Sequence, residues 1–159
     1  MRIGLLSDTH GFLDDTLITN FRDCDEIWHA GDFGTLEVLD DLKRVKAVRG
    51  VFGNVDGPEI RSRLPEDLEW CSENVRVYMT HIGGYPGRYD PRARRELERR
   101  KPDLFICGRS HVARVMRDEK LGLLHINPGA AVKPAGTRSV PRCASISSRE
   151  RLQTSRCSH

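Results

Sequence analysis

The 159-residue sequence predicts an α/β fold built on a mixed sheet or on two packed sheets. Three observations carry that prediction. Short apolar runs alternate with amphipathic stretches through the first half. The second half adds strand-like pairs around tight turns. The runs also end, one after another, beside a glycine and a carboxylate, amide or imidazole.

Taken in order, "RIGLLS" (2–7) is an apolar run of the kind expected for a strand buried on both faces. Residues 14–22 read as a short helix with Leu17, Ile18 and Phe21 on one face. "EIWHA" (26–30) is a second strand. "TLEVLDDLKR" (35–44) is an amphipathic helix with Thr35 at its N-cap and Leu36, Leu39 and Leu42 along one side. "VKAVRG" (45–50) closes a βαβαβ-like half. "LEWCS" (68–72) and "VRVYMTH" (75–81) read as paired strands around a Glu-Asn turn, followed by a helix over 91–101. "DLFICG" (103–108) is a further strand, and "HVARVMR" (111–117) with "GLLHINPG" (122–129) reads as a hairpin.

Composition narrows the class. With 38% hydrophobic and 31% charged residues the chain has the balance of a soluble globular protein, long enough for one domain with a real core. No apolar stretch is long enough for a signal-peptide core or a membrane span, and five cysteines without regular spacing argue against a disulfide framework. A cytoplasmic protein with no membrane partner is expected. The net charge of +3 comes from the end of the chain, where residues 133–159 hold six Lys/Arg against one Asp/Glu. The body is therefore slightly acidic, and nucleic acid is not the expected partner. That Ser/Arg/Cys-rich stretch has neither strand nor helix periodicity and reads as irregular, poorly ordered or frameshifted. The basic run "RARRELERR" (92–100) places Arg92–Glu96, Glu96–Arg100 and Arg94–Glu98 at i,i+4, which reads as a solvated, ion-paired helix face.

The strand ends supply the chemistry. They offer Asp8 and His10, then Asp32, then Asn54 and Asp56, then His81, then His111. Singly, an Asp can cap a helix, an Asn can sit in a turn and a His can be a satisfied half-buried side chain. Five such ends together suit a divalent metal bound by mixed O and N ligands, Mn, Zn, Fe or Ni, better than a Cys-rich structural zinc.

The order D-x-H, GD, GN, H and terminal G-x-x-H resembles the calcineurin-like metallophosphoesterase superfamily, and within it the small prokaryotic phosphodiesterases of the YfcE type. The resemblance covers residues 1–131 and implies a metallophosphoesterase domain over 1–132, folded as a four-layer αββα sandwich of two mixed β-sheets flanked by helices. It further implies that Asp8, His10, Asp32 and His111 hold one metal, with Asp32 bridging to a second held by Asn54 and His81. The implied activity is hydrolysis of a small phosphodiester or phosphate monoester by a metal-activated hydroxide, with Asp32, Asn54 and His81 catalytic and Asn54 also binding substrate.

Two departures from the family pattern matter. Val55 stands where larger members carry a histidine, and Arg109 replaces the first histidine of the family's G-H-x-H. A guanidinium has no free lone pair for a cation. One firm ion and a weak or absent second are therefore expected, with Arg109 acting as a phosphate clamp at low activity. The alternative is an impaired site on a binding scaffold, as in the retromer subunit of this fold. Ser110 is expected to space Arg109 and His111 onto one side of an extended chain. The Gly/Pro loop "GGYPGRYDP" (83–91) is expected at the rim of the site, and an exposed sheet edge after residue 131 would favour a homo-oligomer.

Overall fold

The computed structural model describes residues 1–131 and the backbone of 143–145. Strands β1 (Arg2–Leu6), β2 (Glu26–His29) and β3 (Ala47–Gly50) are parallel neighbours, and β11 (Cys143–Ser145) pairs antiparallel with β1. A second sheet has the order β4 (Asp67–Ser72), β5 (Val75–Thr80), β8 (Leu104–Ile106), β10 (Leu123–Asn127) and β9 (Arg114–Asp118). Its middle strands β5, β8 and β10 are parallel, and both edge strands are antiparallel.

Period-2 alternation sorts the side chains of each strand into two cores. Ile3, Leu5, Trp28, Val77, Met79, Leu104 and Ile106 meet between the sheets. Leu6 and Ile27 turn outward and pack with α1 (Asp15–Phe21) and α2 (Leu36–Val45), through Phe21, Leu39 and Leu42. Tyr78 and Phe105 turn outward from the second sheet onto α4 (Pro91–Arg100), through Ala93 and Leu97. The result is the four-layer αββα sandwich that the family resemblance implies.

Helix starts follow from capping. The Asp14 carboxylate accepts from the Thr16 N–H at 2.7 Å, and Asp90 accepts from the Arg92 and Ala93 N–H groups ahead of Pro91. Thr35 sits at the N-cap of α2, but its side chain makes no capping hydrogen bond. Lys101, at φ 51°, ends α4.

Several expectations are corrected. The segment read as a strand from His111 begins its strand only at Arg114. A short helix α3 (Pro58–Arg61) and a two-residue hairpin, β6 (Gly84–Tyr85) and β7 (Arg88–Tyr89), have no counterpart in the sequence reading. In that hairpin Tyr89 packs edge-on to Phe105, and its hydroxyl donates to Asp118 at 2.8 Å. Tyr85 lies under the Arg114 guanidinium. Both tyrosines are thus committed to packing rather than free at a rim. On α4 the Arg94–Glu98 and Glu96–Arg100 pairs form at 2.9 and 2.7 Å, whereas Arg92 leaves the helix for Asp67 and Glu66. Within 133–159, β11 is a paired strand; the remainder lies outside the described residues. No helix among the described residues is long and apolar enough to cross a membrane.

Met79 is fully buried between the sheets and Val115 is 62% exposed. Met79→Ala should cost about 2–5 kcal/mol in urea unfolding, whereas Val115→Ala should stay within about 0.5 kcal/mol.

Candidate metal centre

Because β1, β2 and β3 run parallel, and β5 runs parallel to β8, their carboxyl ends open at one end of the sandwich. The loop after β1 continues alongside the loop after β2. Asp8 donates its N–H to the Gly31 carbonyl, His10 to that of Asp32 and Gly11 to that of Phe33. The sheets are stitched at this end by the Ala131 N–H to Ser7 carbonyl bond at 3.0 Å and the Ser7–Ala130 bridge.

Asp8 lies at the junction, with no solvent exposure. Its Oδ2 accepts the Arg109 backbone N–H at 3.1 Å and lies 2.5 Å from Ser7 Oγ. Its Oδ1 is buried and has no hydrogen-bond partner among the described residues. Around that bare oxygen stand three imidazole Nε2 atoms: His111 at 3.3 Å, His81 at 3.9 Å and His10 at 4.0 Å. The His10 and His111 Nε2 atoms are 3.4 Å apart. Two candidate ligand groups emerge, Asp8–His10–His111 and Asp8–Asp32–His81. Asp8 is the member common to both, whereas the family resemblance implies Asp32 as the bridging residue.

His81 is set for ligation by its neighbours. Its Nδ1 lies 2.7 Å from the Ala30 carbonyl, which holds a proton on Nδ1 and turns Nε2 toward the centre, 3.1 Å from Asp32 Oδ2. Burial pulls the His81 imidazole toward neutrality, but Asp32, the Ala30 carbonyl and Asp8 outweigh it and hold its pKa above the ordinary value. For Asp32, burial works upward, and the His81 imidazole with the Val55 N–H at 3.0 Å brings the carboxyl below its ordinary range. His29, one residue before Ala30, has a different role. Burial and then His81 push it down to about 3, so it is a neutral ring, stacked on Phe33, bonded to Thr9 and accepting the Gly31 N–H.

The loops themselves are tightly determined. Asp8, His10, Asp32, Arg109 and His111 all have positive φ, between 47° and 64°. Left-handed backbone at non-glycine residues costs about 1 kcal/mol or more apiece, and persists only where the surroundings over-determine it. Asp56 supplies one such constraint, because its carboxylate collects the N–H groups of Asp32, Gly53 and Gly34. The sequence places Asp56 at a strand end but does not reveal that its partners are backbone. Asn127 supplies another, donating to the Gly108 carbonyl and Ser110 Oγ while accepting the Gly129 N–H. Close approach also demands glycine: a Cβ on Gly53 would land on Asp32 Oδ1, and one on Gly31, at φ 96°, would come within 2.6 Å of His81 Nδ1.

Residues 108–111 are not an extended chain, as the positive φ at Arg109 and His111 shows, so the alternation assigned to Ser110 does not operate. Arg109 is exposed, and its backbone N–H holds Asp8. Asn54 is exposed and lines, with His81, Gly53, Arg61 and Arg92, a cleft of about 300 Å³ beside the centre.

Comparison with known proteins identifies the family. Residues 1–148 match the calcineurin-like phosphoesterase superfamily domain, and the chain belongs to that family. It is 35% identical to a probable metallophosphoesterase of Methanothermobacter thermautotrophicus over 144 residues, covering 84% of this chain and 79% of that protein. Among solved structures it is similar to an archaeal phosphodiesterase (TM-score 0.66, 23% identity, covering 82% and 84% of the two chains). It is likewise similar to Vps29 from Entamoeba histolytica (TM-score 0.68, 19% identity, covering 87% and 78%). These two likenesses show the fold. Family membership implies divalent-metal binding, and the donor set fits it: a buried carboxylate oxygen without a partner faces three imidazole nitrogens.

Gly53→Ala should weaken Mn²⁺ binding by at least about 10-fold in calorimetry, as loss of outer-shell support does, with the far-UV spectrum unchanged.

Proposed function

We propose that the chain hydrolyses phosphodiesters in a metal-dependent reaction. The observation that supports this most is Asp8 Oδ1, buried without a partner and ringed by the Nε2 atoms of His10, His81 and His111. A carboxylate oxygen left bare at full burial costs several kcal/mol unless a cation meets it.

In this reading Asp8, His10, Asp32 and His111 hold one firm divalent ion. Asn54 and His81, with Asp32, face a second position weakened by Arg109. Manganese, nickel, zinc and iron all suit these ligands. The bound metal supplies Lewis acidity, making a water nucleophilic at neutral pH and offsetting charge on the phosphoryl oxygens. The protein's own groups do the positioning. The Ala30 carbonyl keeps the His81 proton on Nδ1, so Nε2 faces the centre. The Asn54 amide can present its NH2 to a phosphoryl oxygen. The Arg109 guanidinium can give two parallel N–H···O bonds to a phosphate. Val55 offers no proton to the leaving oxygen, which must take one from water, so esters with good leaving groups are favoured.

Purified protein should hydrolyse bis(p-nitrophenyl) phosphate with Mn²⁺ or Ni²⁺, and Asp8→Ala and Asp32→Ala should lower kcat by about 100-fold or more. No turnover above blank with any of the four metals would overturn the reading.

An arginine at 109, which offers a cation no lone pair, favours a second reading, a binding scaffold with an impaired site. Arg109→His separates the two. A working clamp loses activity or shifts preference, whereas a damaged site gains activity together with affinity for a second Mn²⁺.

A further inference from the structure

We propose that Phe12, Val55 and Val112 form an apolar collar around the metal centre that selects phosphoesters carrying an apolar or aromatic organic group. The inference rests on the phosphoesterase reading of the site. The described residues expose five large hydrophobic side chains, and three of them are Phe12 (59%), Val112 (53%) and Val55 (51%). Scattered exposed hydrophobics are ordinary. Here, however, three stand one or two positions past His10, Asn54 and His111, on three separate loops.

Backbone contacts tie each of them to the centre. The Phe12 N–H closes a turn on the Thr9 carbonyl at 3.0 Å, directly after His10. The Val55 N–H donates to Asp32 Oδ1 at 3.0 Å. The Val112 N–H reaches Ser110 Oγ at 3.4 Å, and Ser110 is in turn held by Asn127. The 3.4 Å approach of His10 to His111 brings the loops bearing Phe12 and Val112 together at the opening.

The occupant follows from distance and area. Successive Cα atoms are about 3.8 Å apart, so a side chain one or two residues past a ligand is about one substituent's length from a phosphoryl group held there. The organic arms of an ester held there lie within reach of these residues, and Arg109, exposed on the loop that carries Val112, adds a charge suited to the anion. A protein partner needs about 800 Å² on each side, and three half-exposed side chains supply roughly 200–300 Å². The area fits a small organic group and falls short of a protein interface.

Two phosphonates test this without turnover, since each carries a single organic arm and neither can be hydrolysed. Phenylphosphonate and methylphosphonate are titrated calorimetrically into Mn²⁺-loaded wild-type protein and into the Phe12→Ser and Val112→Ser variants. Both substitutions are at exposed positions. The wild type should bind phenylphosphonate about 10-fold more tightly than methylphosphonate. Each variant should lose about 3-fold or more of that preference, with methylphosphonate affinity unchanged. Equal affinity for the two phosphonates overturns the collar alone, as does a preference that survives in both variants. A preference that survives while either variant abolishes self-association would assign the face to a protein. Failure of both phosphonates to bind overturns the phosphoesterase reading, and the collar with it.

Discussion

The centre depends on one buried carboxylate. Asp8 has no exposed surface, and one of its oxygens is already occupied by the Arg109 N–H and Ser7. The other has no hydrogen-bond partner among the described residues. In a low-dielectric interior such a group is among the costlier features a fold can carry. The neighbouring architecture is consistent with an arrangement built to tolerate it. Three imidazoles converge on the bare oxygen, five left-handed residues shape the loops that bring them there, and Asp56 and Asn127 spend their polar groups on holding those loops.

That constraint also explains how the sandwich and the site are joined. Asp8 belongs to the first sheet, and the N–H that satisfies its inner oxygen comes from Arg109, after a strand of the second. His81 belongs to the second sheet, and its Nδ1 partner is the Ala30 carbonyl, after a strand of the first. Each sheet therefore supplies candidate ligands and fixes those of the other. Slippage between the sheets would separate both pairs at once, which couples packing of the Trp28–Met79 layer to the geometry of the centre.

Much of this is legible in the sequence, for definite reasons. Buried strands announce themselves as apolar runs, and polar groups repeated at strand ends are improbable without a shared purpose, so the candidate ligands Asp8, His10, Asp32, His81 and His111 could be named from type and spacing. What stayed hidden was the course of the loops. Ser110 was assigned a spacing role that holds only in extended chain, and no residue type in "GRSH" signals the positive φ at Arg109 and His111. The partners of Asp56 are backbone N–H groups, which leave no mark on sequence. Arg92 had a local partner by helical spacing, yet it reaches Asp67 and Glu66, and only tertiary structure places those nearby.

Position 109 shows why a ligand can be exchanged without dismantling the centre. Its backbone and its side chain do separate work. The N–H holds Asp8 Oδ2, and that contribution is independent of which side chain the residue carries, provided it tolerates φ 64°. Arginine at this position offers a cation no lone pair and leaves the Asp8–His10–His111 group geometrically intact. The Arg109 side chain is exposed and carries a permanent positive charge. A guanidinium can attract an anion, but it cannot lower the pKa of a water as a Lewis acid does. An arginine at 109 is therefore compatible with an undisturbed Asp8, the carboxylate on which the candidate centre rests.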